Sequence, residues 1–525
     1  MFSICKKISL CLILFVCFFV FVSMASASIP KDTLVIGMNT EQFITCDPAQ
    51  ANEPPLSSIL ENVYSKLVHV GYKDKQFTIE PEIAETWEVF SDNKTWTFHL
   101  RKDLVFANGD PLKADAVIYS YRRALKINKG TSYLFSKSLD LSEEDITAPD
   151  DYTVQIVTNA SPPNVVLNIL GSAIVASVLN PKVVKEHEVD GDMGMAWLNE
   201  NSAGSGPYVL KEWERNIKLV LVTNENYWGE EPAIKNIIVQ TIPESSQQLL
   251  LLKKGDIDVA FDLTTEQLVP LEESPDIHIV STPKQRNQYL GMNARWGPFQ
   301  DLRVRQAVKY AIDYDAVMEV MYSGFAIKCQ QFNIEGYFGY VEDNPYDYDV
   351  EKAKQLMAEA GYADGFDVEF VTSTEESDKR AVVVLQENFA KIGIRANIVT
   401  MQSPQMLSIY RQQGVNLIFA GWAGDYADPS AFANTYCNYR AKQAAWRLVW
   451  YDDYAADLAE AANTEMNEDK RYQMYRDLTN YFQIYSPFAV IVQRLSLWGV
   501  RNEVKGWGDT AGGYAIHYDL TKTSK

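Results

Sequence analysis

The sequence has few of the residues on which catalysis and metal binding depend. Its 525 residues include five histidines, and no two of them have metal-ligand spacing. The HExxH, GxSxG and P-loop motifs are absent, and no GxGxxG follows a strand pattern. Gly204–Pro207 looks like a nucleophile loop, but its continuation as a strand favours a structural turn. The chain is therefore expected to bind a ligand without catalysis, cofactor or metal ion.

Basic residues are also scarce. Lysine and arginine number 48 against 69 aspartates and glutamates, which gives a formal net charge of −21. Such a chain lacks the basic surface that binding to nucleic acid requires. The excess negative charge is typical of a soluble monomer, and it would also favour cationic ligands.

Long apolar runs are limited to the N-terminus. Lys6 and Lys7 precede a predominantly apolar run of 15 residues, Ile8–Val22, and Ala25–Ala27 matches the small-x-small pattern that signal peptidase cuts. The apolar run is shorter than the roughly 20 residues that span a bilayer, so a signal peptide at residues 1–27 is favoured over a membrane anchor. We therefore expect an exported protein of the periplasm.

Cysteines are few in the mature chain. Three of the six lie in the N-terminal segment, which leaves Cys46, Cys329 and Cys437. Three thiols allow at most one disulfide bond, and the sequence leaves open whether Cys329 pairs with Cys437. None lies in a CxxC pattern, so zinc is not expected.

The order of apolar patterns predicts an α/β protein with more than one domain. A single hydrophobic core stops growing at roughly 250–300 residues, a length that this chain exceeds. An early helix is predicted over residues 57–67, followed by a β-rich stretch. Farther along the chain, strand 367–372, helix 375–391 and strand 396–400 form a β-α-β unit.

Three short strands are predicted in the same part of the chain, over residues 289–293, 416–420 and 488–493. In α/β domains, ligands bind outside the carboxyl ends of the strands. The segment after residue 420 is therefore a candidate ligand loop.

Several motifs, taken in order, closely resemble one family. It is the bacterial extracellular solute-binding protein family 5, which serves oligopeptide, dipeptide and nickel importers. The resemblance extends over essentially the whole mature chain. The matching segments are Ala84–Val89, Lys94–Arg101, Phe106–Val117, Gly204–Tyr208, Asn226–Gly229, Lys254–Asp258, Pro298–Ala307 and Ala311–Asp313.

This resemblance implies a fold. The family has a two-lobed α/β clamshell with an additional β-rich domain inserted in the first lobe. Mapped onto this chain, lobe I comprises residues 29–74, 198–284 and 490–525. The inserted domain comprises residues 75–197, and lobe II residues 285–489.

The resemblance also implies a site. Gly421–Asp425 and Tyr426 (GWAGDY) are similar to the loop of peptide-binding members in which Asp holds the ligand's α-ammonium and Trp forms a pocket wall. We therefore assign these roles to Asp425 and Trp422, with Gly421 beside them. A carboxylate in a dry cleft forms a strong charge-assisted bond with an ammonium group. Asp428, in contrast, is interpreted as the cap of a helix that begins near Pro429.

The remaining ligand contacts are predicted less specifically. The peptide would bind as an added strand, with Asn52 of the loop 51–54, Tyr289 of strand 289–293 and Tyr133 as candidates. Some relatives have a Cys after the Trp, paired with a second Cys near the first strand of lobe II. Here Ala423 and Arg286 occupy those positions, so this bridge is missing. The group that would hold a peptide carboxylate is not identified.

The predicted function is that of the substrate-binding subunit of an ABC importer for small peptides. Its partners would be the membrane permease and the ATPase subunits. The alternative is a receptor of the same fold for another solute, such as a sugar oligomer, an opine, haem or a metal complex. The absence of His near Trp422 argues against nickel.

Overall fold

The computed structural model describes residues 29–73, 76–158, 163–424, 426–508 and 520–523. The predicted signal peptide, residues 1–27, lies outside the described residues, and so does Asp425. In the part of the chain that is described, no helix combines the length and the hydropathy needed to cross a membrane.

Strands lie along the whole described chain. They are β1 (Thr33–Met38), β2 (Val68–Lys73), β3 (Gln76–Pro81), β4 (Ala84–Val89), β5 (Thr95–Leu100), β6 (Ile146–Asp150), β7 (Thr153–Val157), β8 (Tyr208–Glu214), β9 (Lys218–Thr223), β10 (Asn236–Thr241), β11 (Val259–Ala260), β12 (Ile277–Met292), β13 (Ala326–Lys328), β14 (Phe366–Ser373), β15 (Ile394–Met401), β16 (Leu417–Ala423), β17 (Phe488–Arg501), β18 (Val504–Lys505) and β19 (Thr521–Lys522).

Helices connect the strands and are concentrated in the second half of the chain. They are α1 (Pro54–Leu60), α2 (Ala114–Ile127), α3 (Pro163–Ser172), α4 (Pro181–Glu186), α5 (Met195–Leu198), α6 (Ser245–Lys254), α7 (Thr265–Leu268), α8 (Leu302–Ala311), α9 (Tyr314–Tyr322), α10 (Val350–Glu359), α11 (Glu376–Ala390), α12 (Ser403–Arg411), α13 (Ser430–Tyr436), α14 (Ala444–Arg447), α15 (Asp453–Thr464) and α16 (Glu468–Tyr485).

The first helix differs from its prediction over residues 57–67. It begins at Pro54 and ends at Leu60. Pro54 and Pro55 occupy its first turn, where a proline is tolerated because the backbone N–H groups there have no partner within the helix. The two prolines therefore start the helix and do not belong to the preceding loop.

The main sheet has one continuous strand order. Among the described residues, eleven strands form it in the order β15-β14-β16-β12-β17-β11-β1-β10-β9-β8, with β13 added beside β17. Strands from the later part of the chain therefore lie at one end of the sheet, and strands from the earlier part lie at the other. A separate four-stranded sheet, β4-β5-β7-β6, has its own apolar core, which includes Phe98 and Tyr121.

Two long strands, β12 and β17, lie in the middle of the main sheet and connect its earlier strands with its later ones. The first part of β12, Ile277–Pro283, pairs with Leu495–Arg501 of β17. Its later part pairs with β17 on one side and with β16 on the other. The predicted domain limits at residues 284 and 489 fall inside these strands, and the limits remain predictions.

The predicted β-α-β unit is present as β14-α11-β15. β14 and β15 are parallel neighbours, and α11 covers them with buried side chains that include Leu385 and Phe389. The strands start close together. Gly365 has φ +70°, and a Cβ on it would lie 1.7 Å from the carbonyl oxygen of Gly393. This close approach requires a glycine at position 365.

The hairpin β2-β3 contacts the later half of the chain. The N–H of Phe77 donates to the carbonyl of Gly336 at 2.9 Å, and the rings of Phe77 and Tyr337 lie 5.6 Å apart. Tyr426, just after β16, packs against the core of the four-stranded sheet. The segment that follows β16 therefore lies where the two halves of the molecule meet.

Candidate ligand-binding site

A cavity of about 470 Å³ lies at the carboxyl ends of β14 and β16. Its volume is within the range of small-molecule sites, and its position is that of ligand sites in α/β sheets. Its wall combines residues of β12, β16 and β17 with residues of the adjoining helices. Those used below are Arg286, Gln288, Tyr289, Ser373, Asp378, Tyr410, Gly421, Trp422, Arg447 and Arg494.

Three of the six predicted site residues line this cavity, namely Gly421, Trp422 and Tyr289. Gly421 has a steric reason to be glycine. A Cβ built on it would lie 1.8 Å from Oε1 of Gln288 and 3.1 Å from Nη2 of Arg286. The absence of a side chain at this position therefore makes room for two polar groups at the cavity wall.

Trp422 is held by an arginine. The guanidinium of Arg447 lies 5.2 Å from the centre of the Trp422 ring and 5.5 Å from that of Tyr410, which are cation–π distances. Arg447 is 7% exposed, and its guanidinium donates to the Gln443 side chain. Desolvation lowers the pKa of Arg447. The arrangement fixes an aromatic wall beside a buried positive charge.

Tyr289 contributes a rigid side chain to the same wall. It is 1% exposed, its hydroxyl lies 3.2 Å from that of Tyr410, and its ring packs edge-on against Tyr436 and Phe488. Burial raises the pKa of Tyr289 to about 12, so this hydroxyl stays protonated at neutral pH.

The prediction that strand 289–293 receives the ligand as an added strand is wrong. Residues 286–292 of β12 pair with β16, and residues 287–291 also pair with β17. Both edges of the strand are therefore occupied, and it has no free backbone groups to offer to a peptide. Any contact with Tyr289 must come from its side chain.

A buried carboxylate lies behind Gln288. The amide nitrogen of Gln288 donates to Asp378 at 3.0 Å, and the hydroxyl of Ser373 donates to the other oxygen at 2.7 Å. Burial raises the pKa of Asp378. Oε1 of Gln288, in contrast, is buried without a hydrogen-bond partner in the described part of the chain. Such an atom at a cavity wall is available to a ligand.

Two arginines of the long strands also line the cavity, Arg286 on β12 and Arg494 on β17. Arg286 lies directly opposite Ala423 of β16 in the sheet register, the two positions where some relatives carry paired cysteines. Sequence reasoning named Arg286 only as a departure and did not name Arg494. The sequence signal that could have indicated both arginines is the presence of charged residues beside the predicted strands.

The segment after β16 is tied down on both sides of position 425. The N–H of Gly424 donates to the carbonyl of Gln285 at 3.0 Å, and the hydroxyl of Tyr337 donates to the carbonyl of Tyr426 at 2.8 Å. Asp428 accepts from the N–H of Ser430 and forms a buried ion pair with Arg471 at 2.8 Å. Asp428 therefore has a structural role through Arg471 and the N–H of Ser430, but it is not the predicted helix cap, since the N-cap is Pro429. The role of Asp425 stays a prediction.

Tyr133 and Asn52 do not line this cavity. They lie on loops that contact one another, since the hydroxyl of Ser132 donates to the carbonyl of Ala49 at 3.3 Å. Asn52 is exposed, and Tyr133 is 36% exposed. Their roles in ligand binding stay predictions.

Cys46, Cys329 and Cys437 are buried free thiols, so Cys329 and Cys437 do not pair in this structure. Burial raises the pKa of Cys329 to about 12. Within the described residues, no group of three or more His, Cys, Asp or Glu side chains is arranged to hold a metal ion.

Comparison with known proteins identifies the family. The model of the bacterial extracellular solute-binding proteins, family 5, matches residues 78–443. This chain belongs to that family. The resemblance found in the sequence motifs is thereby confirmed.

Curated relatives of this solute-binding protein extend the match to nearly the full chain. A protein named "probable D,D-dipeptide-binding periplasmic protein DdpA", from Escherichia coli K12, is 29% identical over 490 residues, 92% of each chain. The dipeptide-binding protein of the same organism is 26% identical over 510 residues, 92% of this chain and 93% of its own.

A solved structure supports the same fold. DppA of Helicobacter pylori, an ABC transporter-associated periplasmic binding protein in complex with the peptide STSA, matches with a TM-score of 0.72 and 25% identity. The match covers 94% of this chain and 98% of that one. The predicted two-lobed α/β fold is therefore confirmed.

Proposed function

We propose that this protein is the substrate-binding subunit of an ABC importer and that it captures small peptides. The observation that carries the proposal is the cavity at the strand ends, which brings together Gly421, Trp422 and Tyr289 in a member of the solute-binding family. Relatives named for dipeptide binding and a structural neighbour in complex with a peptide support peptides as the ligand class.

The long strands β12 and β17 suit a hinge. They lie in the middle of the main sheet, where β12 pairs with β16 and β17 pairs with β11, so a change in their twist would move the strands on either side relative to each other. In the proposed mechanism a ligand contacts both halves, and the closed form gains population in proportion to those additional contacts. The permease then recognises the closed form.

Asp425 is proposed to hold the α-ammonium of the peptide, and Trp422 to form the wall of a side-chain pocket. The stacking of Arg447 against Trp422 and Tyr410 supports the second role. For Asp425, support comes from its place in the GWAGDY motif, between segments that are anchored at Gly424 and Tyr426.

The remaining parts of the proposal follow from this role. The protein is proposed to be exported to the periplasm after cleavage near Ala27, to act as a monomer, and to have no enzymatic activity. The permease and ATPase subunits of the importer would be its partners. The family to which it belongs consists of extracellular solute-binding proteins, which supports export and a role in transport.

Native mass spectrometry of the purified protein tests the ligand class. Co-purified peptides would be seen as a series of small masses bound at one equivalent. A single sugar mass would overturn the peptide proposal, and release of peptide fragments during incubation would indicate an enzyme.

Calorimetry of Asp425→Asn tests the proposed ammonium contact. Loss of a buried charge partner is expected to weaken the binding of a peptide with a free N-terminus by about 2–5 kcal/mol. Binding of the N-acetylated peptide should be equally weak in both proteins. Asp469→Asn, an exposed change of the same charge on α16, is the control. Unchanged affinity in Asp425→Asn refutes the assignment.

A further inference from the structure

Three cationic side chains are close together where the two long strands cross between the halves of the sheet. Lys284 and Arg286 lie on β12, between positions that pair with Leu495 and Gln493 of β17. Arg494 lies between those two partners, so it faces Lys284 and Arg286 across an irregularity in the register. Three positive charges therefore face one another in a protein whose net charge is strongly negative.

Among the described residues this cluster has no ion-pair partner, although the charge of Asp378 acts on Arg286 and Arg494. In the described part of the chain, Lys284, Arg286 and Arg494 form no ion pair. Nε of Arg286 is buried without a hydrogen-bond partner, and the guanidinium of Arg494 lies 5.4 Å above the ring of Tyr322. The adjacent carboxylate, Asp378, is already bonded to Gln288 and Ser373.

Such an arrangement is unfavourable for the empty protein. Desolvation and the charge of Arg494 both lower the pKa of Arg286, which means that its charged form is disfavoured where it lies. The two arginines are half-buried and Lys284 is exposed, so the cost is partial, but charges that are removed from water in folded proteins are generally paired. A cluster that stays unpaired, at the wall of a cavity, is typical of a site whose partner is a ligand.

The cavity gives an anion access to this cluster. Arg286 and Arg494 both line it, together with Trp422 and the unbonded Oε1 of Gln288. Because Gly421 has no side chain, Nη2 of Arg286 borders the cavity directly. Two planar guanidinium groups from different strands can bind a carboxylate with paired hydrogen bonds, which a single lysine cannot do.

We propose that Arg286 and Arg494, assisted by the charge of Lys284, form a carboxylate-binding subsite of this cavity. In a bound peptide this subsite holds the C-terminal carboxylate. This assignment rests on the proposed peptide-binding function. It predicts a preference for ligands with a free carboxylate at the end remote from the α-ammonium, and it places that end beside the hinge strands.

The test compares wild-type protein with the double variant Arg286→Gln, Arg494→Gln. Calorimetry measures the binding of dialanine, trialanine and tetra-alanine, each as the free acid and as the C-terminal amide. Amidation is expected to weaken binding to the wild type by at least about 30-fold. The double variant should bind both forms with the weak affinity that the wild type has for the amide.

Arg476→Gln on α16 is the matched control, because Arg476 does not line the cavity and has no ion pair among the described residues. This variant should discriminate between acid and amide as the wild type does. Thermal unfolding checks that the double variant is folded. If the double variant still prefers the free acid by the wild-type factor, the proposal is overturned.

A second probe separates this subsite from peptide binding as such. Succinate should raise the Tm of the wild type and of Arg476→Gln but not that of the double variant, and neutral succinamide should affect none of them. If no alanine peptide binds but succinate shows this pattern, peptide binding fails and the carboxylate subsite stands. If the double substitution changes neither the affinity for the peptides nor the effect of succinate on Tm, the subsite is refuted.

Discussion

Arginine side chains have opposite surroundings in two regions of this protein. Arg123 of α2 forms a two-pronged ion pair with Asp47, both distances being 2.7 Å, and its Nε donates to the carbonyl of Met193. Both side chains are almost completely buried. At the cavity, Arg286 and Arg494 are partly buried and form no ion pair among the described residues.

The presence or absence of an ion-pair partner indicates the role of each arginine. A fully bonded pair such as Arg123–Asp47 fixes the loop that precedes α1 against α2, and its removal would leave a buried charge alone. Arg471–Asp428 does the same for the segment after β16. Among the described residues the cavity arginines form no ion pair, although Arg494 stacks on Tyr322, so their charges are available to something that binds beside them.

The largest expected effect is that of Asp47→Asn. Because this change leaves the Arg123 guanidinium buried without its counter-charge, we expect the free energy of unfolding to fall by about 3–5 kcal/mol. Urea denaturation measures it. Asp151→Asn, which breaks the exposed pair with Lys113, is the control and should cost less than about 1 kcal/mol. If the two changes lower the free energy of unfolding equally, the buried Arg123–Asp47 pair stabilises the protein no more than an exposed pair does.

An intermediate effect on the free energy of unfolding is expected for Glu82→Gln. Glu82 accepts the N–H of Lys66, but the ammonium of Lys66 bonds to Glu61 instead. Burial raises the pKa of Glu82 to about 7, so the folded protein holds this proton more tightly than the unfolded chain does. Stability is therefore lost as the pH rises from about 4.5 to about 7.

The glutamine variant should lack this loss. At pH 8 it is expected to be more stable than the wild type by about 1–3 kcal/mol, and at pH 4.5 the two should be nearly equal. Urea unfolding at both pH values measures the difference. Glu85→Gln, an exposed change on the adjoining strand β4, is the control. A gain for Glu82→Gln that is the same at both pH values would contradict the assignment.

The smallest effect, and one of opposite sign, is expected for Arg494→Gln in the absence of ligand. Relief of like-charge repulsion should exceed the loss of the contact with Tyr322, so stability should rise by about 0.5–1 kcal/mol. Differential scanning calorimetry of ligand-free protein measures it. A loss of more than 1 kcal/mol would mean that Arg494 supports the fold, as Arg123 does.

Much of the α/β half could be predicted from local pattern. Helix 375–391 is observed as Glu376–Ala390, and the strands on either side of it are present with small shifts in their ends. These elements have buried apolar residues at regular spacing and a glycine at the break, Gly393. The helix predicted over residues 57–67 is observed as Pro54–Leu60, and its earlier start follows from the two prolines in its first turn.

The long strands were predicted only in part. Residues 289–293 and 488–493 were recognised, whereas the strands extend over Ile277–Met292 and Phe488–Arg501. The missed portions include Pro283 and several charged residues, which interrupt the alternation of apolar and polar side chains on which strand prediction relies. Those charged residues include the arginines of the cavity wall.

The sequence by itself determined the family, the α/β class and the loop that carries Gly421 and Trp422, because these depend on short motifs and local periodicity. Only the tertiary structure decided that Tyr289 contributes its side chain and not its backbone, since both edges of its strand are paired. It also decided that Arg286 and Arg494 lie close together and form no ion pair within the described ranges. Whether a charge is neutralised depends on residues that lie far apart in the chain, and no local pattern records such a contact.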